Sequence, residues 1–353
     1  MAQWKHASGW IMSKKSIIRI ISRLQFCIFG SMAIITHGVW AQEAGYQIGR
    51  GFEVSEFLTL GGYFSTEYEL GDDKNAFLVD DLALLAYGDV GDRFSYLLEL
   101  ESIDAYVSDF ENDTTSTNLP PTIERLYGDY KFSDNLAFRF GKHISPIGYW
   151  NLQPINVLRE TTSNPRYSRR MFPKFITGVT MYGYTPFDES LSYQIYVQNT
   201  RDMDQDNINI LIDQHYGMSL EKELGNGWKA GGSTGRFRQL DQTRTRYLQF
   251  NTRYDTAQYS AIAEAIVSYQ DTRFAGSERS SSYYLQGEYR FTPQHAVITR
   301  GEYFRDGIAG IKERIGIIGY SFRPVYPVSL KFEYQWHADT KENQFVTSFS
   351  VLF

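Results

Sequence analysis

Most of this chain repeats one pattern: short segments in which apolar and polar side chains alternate. Val328, Leu330, Phe332, Tyr334 and Trp336 interleave with Ser329, Lys331, Glu333 and Gln335. Tyr283, Leu285, Gly287, Tyr289 and Phe291 interleave with Tyr284, Gln286, Glu288 and Arg290. Tyr259, Ala261, Ala263, Ala265 and Val267 interleave with Ser260, Ile262, Glu264 and Ser268. Successive side chains on a β-strand point to opposite faces, so each segment carries one apolar face and one polar or ionisable face.

Strands are expected at 57–69, 76–88, 93–104, 122–132, 135–143, 174–185, 190–199, 214–223, 227–238, 244–255, 258–269, 280–291, 295–305, 311–323, 327–337 and 343–353. The faces of 76–88 and 174–185 are ambiguous. Connections after even-numbered segments are short, such as Ser133-Asp134, Gly225-Asn226 and Thr256-Ala257. Those after odd-numbered segments are longer or more variable, including 105–121, 144–173, 200–213 and 270–279. A soluble sandwich has no reason to sort its connections by parity. A transmembrane barrel does, with short periplasmic turns and long external loops. The composition agrees: 26 Tyr, 24 Phe and 6 Trp accompany a mean hydropathy of −0.38. The expected fold is therefore all-β, a transmembrane antiparallel β-barrel of about 16 strands over 57–353, with both termini on the periplasmic side.

Lys14, Lys15, Arg19 and Arg23 precede an apolar run from Leu24 to Ile35, and Val39-Trp40-Ala41 follows. This order reads as a signal peptide, 1–41, cleaved after Ala41; Met12 leaves 1–11 open as an over-extended start. Residues 42–56 read as a periplasmic lead-in. Cys27, the chain's one cysteine, falls in the leader. The mature chain then has no disulfide, thiolate metal site or cysteine nucleophile. Removing 1–41 takes away five Lys/Arg and no Asp/Glu, which moves the formal charge from −6 to −11. A nucleic-acid partner is not expected, because phosphate binding needs basic patches.

The rhythm breaks longest at Ile144 to Lys174, ISPIGYWNLQPINVLRETTSNPRYSRRMFPK. This third external loop carries Arg159, Arg166, Arg169, Arg170 and Lys174 against one acid, Glu160. Folded into the lumen, these bases would form a constriction that favours anions, because selectivity follows charge at the narrowest point. Alternatively they pair with wall acids and pin the loop. On strand parity the lumen wall includes Glu99, Glu101, Arg125, Asp129, Lys131, Arg139, Arg253, Glu264, Glu288, Arg290, Arg300, Glu302, Lys331 and Glu333.

The chain ends in QFVTSFSVLF, with Phe345, Thr347, Phe349 and Val351 on one face before Phe353. This resembles the C-terminal signal of bacterial outer-membrane proteins, which implies recognition of Phe353 by the barrel-assembly machinery. With about 16 strands, a leader and a long third loop, the chain resembles the bacterial porins. The stretch FRFGKHISPIGYWN, Phe138 to Asn151, is similar to the strand-to-loop junction of the phosphate-selective porin O/P-like group. The resemblance implies an outer-membrane channel in contact with lipid and lipopolysaccharide, a homotrimer, and passive passage of small hydrophilic solutes with a lean to anions such as phosphate. A channel specific for one anion class and a plugged structural or adhesive barrel are the alternatives.

Asp202, Asp204, Asp206 and Asp213 suggest a calcium loop in the fourth external connection, although no helices flank it and Asn207 stands where a calcium loop needs glycine. A solvated acidic loop is the alternative, and no other cofactor is expected. Enzymatic activity is not expected either. His143, His215, His295 and His337 are scattered, and His143 near Ser145 is the least poor candidate for a catalytic pair.

Overall fold

The structure, a computed structural model, describes residues 46–72, 74–205, 210–272, 276–340 and 342–353. The expected leader lies outside them. The chain divides into two units, 1–47 and 48–353. Of the first, only a two-residue strand, β1 (Tyr46–Gln47), is described.

The second unit is an antiparallel barrel. Its first strand pair is β2 (Gly51–Ser55) against the start of β3 (Leu58–Gly71). From β3 the chain runs through β4 (Asn75–Val90), β5 (Phe94–Asp109), β6 (Thr114–Thr117), β7 (Thr122–Ser133), β8 (Leu136–Ile144), β9 (Phe175–Thr185) and β10 (Asp188–Gln198). It continues through β11 (Ile212–Gly225), β12 (Trp228–Gln239), β13 (Arg244–Asp255), β14 (Tyr259–Thr272), β15 (Gly276–Thr292), β16 (His295–Asp306), β17 (Ile311–Val325), β18 (Val328–His337) and β19 (Gln344–Leu352). Each long strand pairs with the next, and β19 closes the ring on β3 with Val351 opposite Phe64. Leaving out β1, β2 and the short β6, sixteen strands form the wall. Closure leaves no open edge, the condition a sheet must meet to sit in lipid.

All sixteen expected strands are present, with ends shifted by a few residues. The largest difference is at β5, which runs to Asp109 and carries β6 as a small hairpin. The short connections are tight turns. At Asn226-Gly227 both residues have positive φ, 51° and 82°, as a type I′ hairpin turn requires.

The faces are inside-out relative to a soluble protein. On β18, Ser329, Lys331, Glu333 and Gln335 are buried, while Tyr334 and Trp336 are exposed. Leu84 and Leu285 on the outer face are each 63% exposed. A charge turned outward near the membrane midplane would cost roughly 2–4 kcal/mol, so alternation sends such groups to the lumen.

The lumen is occupied by the chain between β8 and β9. That segment forms two single turns, Trp150–Leu152 and Asn156–Leu158, and one short helix, α1 (Arg166–Arg170). Its apolar side chains meet the wall on two sides. Ile147, Tyr167, Met171 and Phe172 pack on Ile212, Phe237, Tyr247, Ile262, Ile266, Tyr284 and Phe304 of β11 to β16. Ile155 and Val157 pack on Tyr63 of β3 and on Ala83 and Leu85 of β4. Because these strands lie far apart around the ring, the segment spans the lumen.

Candidate functional site

The inserted loop is held by wall charges acting mainly on its polar main chain. Glu264 of β14 accepts the backbone N–H of Tyr149 at 2.6 Å and of Trp150 at 2.8 Å. Arg300 of β16 donates to Thr161 Oγ1 at 2.7 Å, Ser163 O at 3.0 Å and Ser163 Oγ at 2.8 Å. Glu302, on the same strand, orients Arg300 at 2.6 Å and accepts the Arg166 N–H at 2.9 Å. Lys331 donates to Asn156, and Glu333 accepts from Thr162 and Ser163. Arg323 of β17 donates to the carbonyls of Val157 and Arg159. A loop inside a barrel has unpaired N–H and C=O groups that need partners, and charged partners make the stronger bonds.

Aromatic rings strengthen the grip. The Arg253 guanidinium lies 4.3 Å from the Tyr149 ring centre, and Arg300 and Arg159 lie 5.4 and 5.9 Å from that of Trp150. The turn that delivers these rings needs glycine. Gly148 has φ +71°, and a Cβ there would meet Tyr167 Oη and Glu264 Oε2.

Between the loop and the β3–β5 wall lies a cavity of about 280 Å³. Its wall side presents Glu67, Glu69, Asp80, Asp81, Glu101 and Asp104; its bases are Lys74 and the loop's Arg159 and Lys174. A second cavity, about 130 Å³, shares Glu67, Glu69, Asp80, Arg159 and Asn164 with the first. Deeper in the wall, Tyr63 donates to Glu99 at 2.8 Å and to Glu101 at 3.0 Å, and Arg125 pairs with Glu99.

The five loop bases do not converge on this space. Arg166 forms an ion pair with Glu313 at 2.7 Å, and Lys174 with Glu124 at 2.6 Å. Arg159 donates to the carbonyls of Gln153 and Pro154, which curls it back on its own loop, although it still borders both cavities. Arg170 is exposed, and the Arg169 side chain lies outside the described set. Wall carboxylates engage two of the five bases, because bare cations in a lined lumen are poorly solvated.

The expected wall residues divide by depth. Glu99, Glu101, Glu264, Arg300, Glu302, Lys331 and Glu333 are buried on the lumen side. Arg139 is held by Asp129 at 2.7 and 2.8 Å, and Arg290 by Glu288 and Asp255. Arg253 reaches Asp255 at 3.0 Å. Lys131 instead stands at the short-turn rim, paired with Asp134 and 55% exposed, because its strand ends two residues later. The sequence reading did not single out Glu67, Glu69, Asp80 or Asp81.

The acidic fourth connection is organised around a protein cation. The buried Lys142 ammonium lies 3.2 Å from Asp202 Oδ1 and 3.2 Å from the Asp204 carbonyl oxygen. Asp204 also accepts the Ile123 N–H, and Asp202 accepts from Thr177. Asp213 is bound bidentately by Arg238 at 2.8 and 2.9 Å. Asp206 lies outside the described residues. Among the described residues no group of three or more His, Cys, Asp or Glu is placed to hold a metal. Of the described carboxylates of the expected calcium loop, Asp202 pairs with Lys142 and Asp213 with Arg238, while Asp204 accepts a backbone N–H. His143 bonds Thr180 at 2.7 Å and the Gly141 carbonyl at 3.1 Å, while the Ser145 hydroxyl donates to Pro173.

No family model and no curated protein matches the chain. Solved structures match its fold. A loop-deletion mutant of OmpT, an outer membrane protein of Vibrio cholerae, aligns with a TM-score of 0.60 at 12% identity, over 84% of this chain and 99% of that one. An anion-selective porin from Comamonas acidovorans aligns with 0.59 at 11%, over 84% and 99%. OmpF of Salmonella typhi, in complex with daunomycin, aligns with 0.59 at 12%, over 84% and 97%. The fold is that of the 16-stranded bacterial outer-membrane porins. At these identities the likeness speaks for the architecture alone.

Proposed function

We propose that the protein is an outer-membrane channel for small hydrophilic solutes, with its passage between the inserted loop and the acid wall of β3 to β5. The observation that carries this reading is the polar cavity beside the loop, with six acids and three bases on its lining. Charge close to a narrow passage outweighs net charge, because low-dielectric walls focus the field. Two of the five loop bases are neutralised by wall acids, which removes much of the support for an anion lean. The balance at the cavity favours cations. Reconstitution into planar bilayers under a KCl gradient tests the reading, with a reversal potential of cation-selective sign expected.

A plugged barrel is the second reading, and one observation favours it: the loop packs apolar side chains against both sides of the lumen. Absence of conductance from folded, reconstituted protein would establish that reading in place of the first.

A further inference from the structure

We propose that the outward face of β12 and β13, at the end carrying the long connections, binds the phosphate-bearing headgroup and one acyl chain of an outer-leaflet glycolipid. Arg236 stands directly opposite Arg246, and Arg238 opposite Arg244. All four lie on the outward parity, on the side opposite buried Phe237, Thr245 and Tyr247. Like charges directly opposed on one sheet face repel, and here they also border lipid. Their protein partners are too few. Arg238 is bound by Asp213, Arg246 reaches Asp271 only at 3.5 Å, and Arg236 lies 5.5 Å from the Tyr216 ring centre. Arg244 has no ion pair among the described residues. Planar guanidinium groups suit phosphate oxygens, which they bind in bidentate fashion.

Beneath the cations the surface is a trough. The outward residues of β12 below Arg236 are Thr234, Gly232 and Ala230, all small. The cross-strand neighbours of Thr234 and Gly232 are larger, Met218 and Leu220 on β11 and Leu248 and Phe250 on β13, and Ala230 lies between Lys222 and Thr252 at the far end. The result at the arginine end is an open groove of about 1010 Å³, walled by Val197, Met218, Leu248 and Val267, with Arg236 and Arg246 at one end. From Arg236 to Ala230 the strand rises roughly 20 Å. On a strand tilted about 45° that is roughly 14 Å of depth, close to one leaflet of hydrocarbon, about 15 Å. A cationic head over a greasy, chain-wide trough fits an anionic lipid better than a free anion, which needs no trough. It also fits better than a two-fold contact with a second copy, which would set these arginines against their own counterparts.

The inference rests on the barrel lying in an outer membrane, and its test is independent of conductance. Full-length protein purified in a neutral detergent is titrated with bis-phosphorylated lipid A, phosphatidylcholine or inorganic phosphate, and adducts are read by native mass spectrometry. Wild type is expected to hold lipid A and not phosphatidylcholine. The Arg236→Gln/Arg246→Gln double variant and the groove-filling Thr234→Phe variant should each lose at least ten-fold in apparent affinity, at unchanged thermal transition. The proposal is overturned by equal binding in wild type and Thr234→Phe, by equal uptake of phosphatidylcholine, by displacement of lipid A with millimolar phosphate, or by a change of oligomer mass in the double variant. If the double variant fails to fold, Thr234→Phe alone decides. A conducting channel that ignores lipid A sinks this inference only, and a silent barrel that binds it sinks only the transport reading.

Discussion

Lys331 on β18 donates to the side-chain oxygen of Asn156 at 2.7 Å, across 175 residues of sequence. Both are buried, so a wall cation and a loop amide satisfy each other inside the barrel. Hydrogen bonds to charged groups contribute about 1.5–3 kcal/mol each. Lys331→Met should therefore loosen the loop without opening the wall. Single-channel recordings should show at least a two-fold rise in flicker or mean conductance, with sheet circular dichroism unchanged.

Glu264 offers one carboxylate oxygen to two consecutive N–H groups, Tyr149 and Trp150. Glu264→Ala leaves both without their acceptor, at about 1–3 kcal/mol each. Hydrogen exchange over 145–174 should quicken at least ten-fold, while exchange in β14 stays within about two-fold of wild type.

Phe172 is fully buried against Tyr167, with ring centres 5.3 Å apart. Phe172→Ala should destabilise the loop by about 3–5 kcal/mol, the usual range for such a cavity. Limited trypsin digestion at the arginines of α1 should become rapid, and the barrel should still resist.

Glu160 sits in the inserted loop, and burial pushes its carboxyl above the usual carboxylate range, with Glu288 adding to the effect. A raised pKa in the folded loop means that the protonated form is favoured there. The resulting stabilisation is complete below the ordinary carboxylate pKa and is lost as pH rises through the raised value. Protease resistance of 145–174 should fall across that window in wild type and become flat in Glu160→Gln.

Lys142 lies 3.2 Å from Asp202 Oδ1 and from the Asp204 carbonyl oxygen, in the connection where the sequence suggested a calcium loop or a solvated acidic loop. Calorimetric titration with Ca²⁺ should give no saturable heat, and EDTA should leave the denaturation midpoint unmoved.

The wall was legible in the sequence because its side chains obey a period of two. Glu67 and Glu69 were readable by the same rule, since they alternate with Thr66, Tyr68 and Leu70 on β3. Asp80 and Asp81 were not. The pairing slips between Val79 and Asp81, and a bulge erases the parity that assigns a face. The inserted loop was legible as a long break, but its electrostatics depend on contacts more than a hundred residues away, such as Arg300 with Ser163. One signal was available. Ile262, Ile266 and Phe304 lie on faces that otherwise look toward water, and such apolar side chains need an apolar filling.

Reversal potential under a KCl gradient tests the central claim most directly, in wild type and in Asp80→Asn/Asp81→Asn. The account predicts cation-selective sign for wild type and a shift toward zero in the variant. An anion-selective sign, or a variant indistinguishable from wild type, would contradict it.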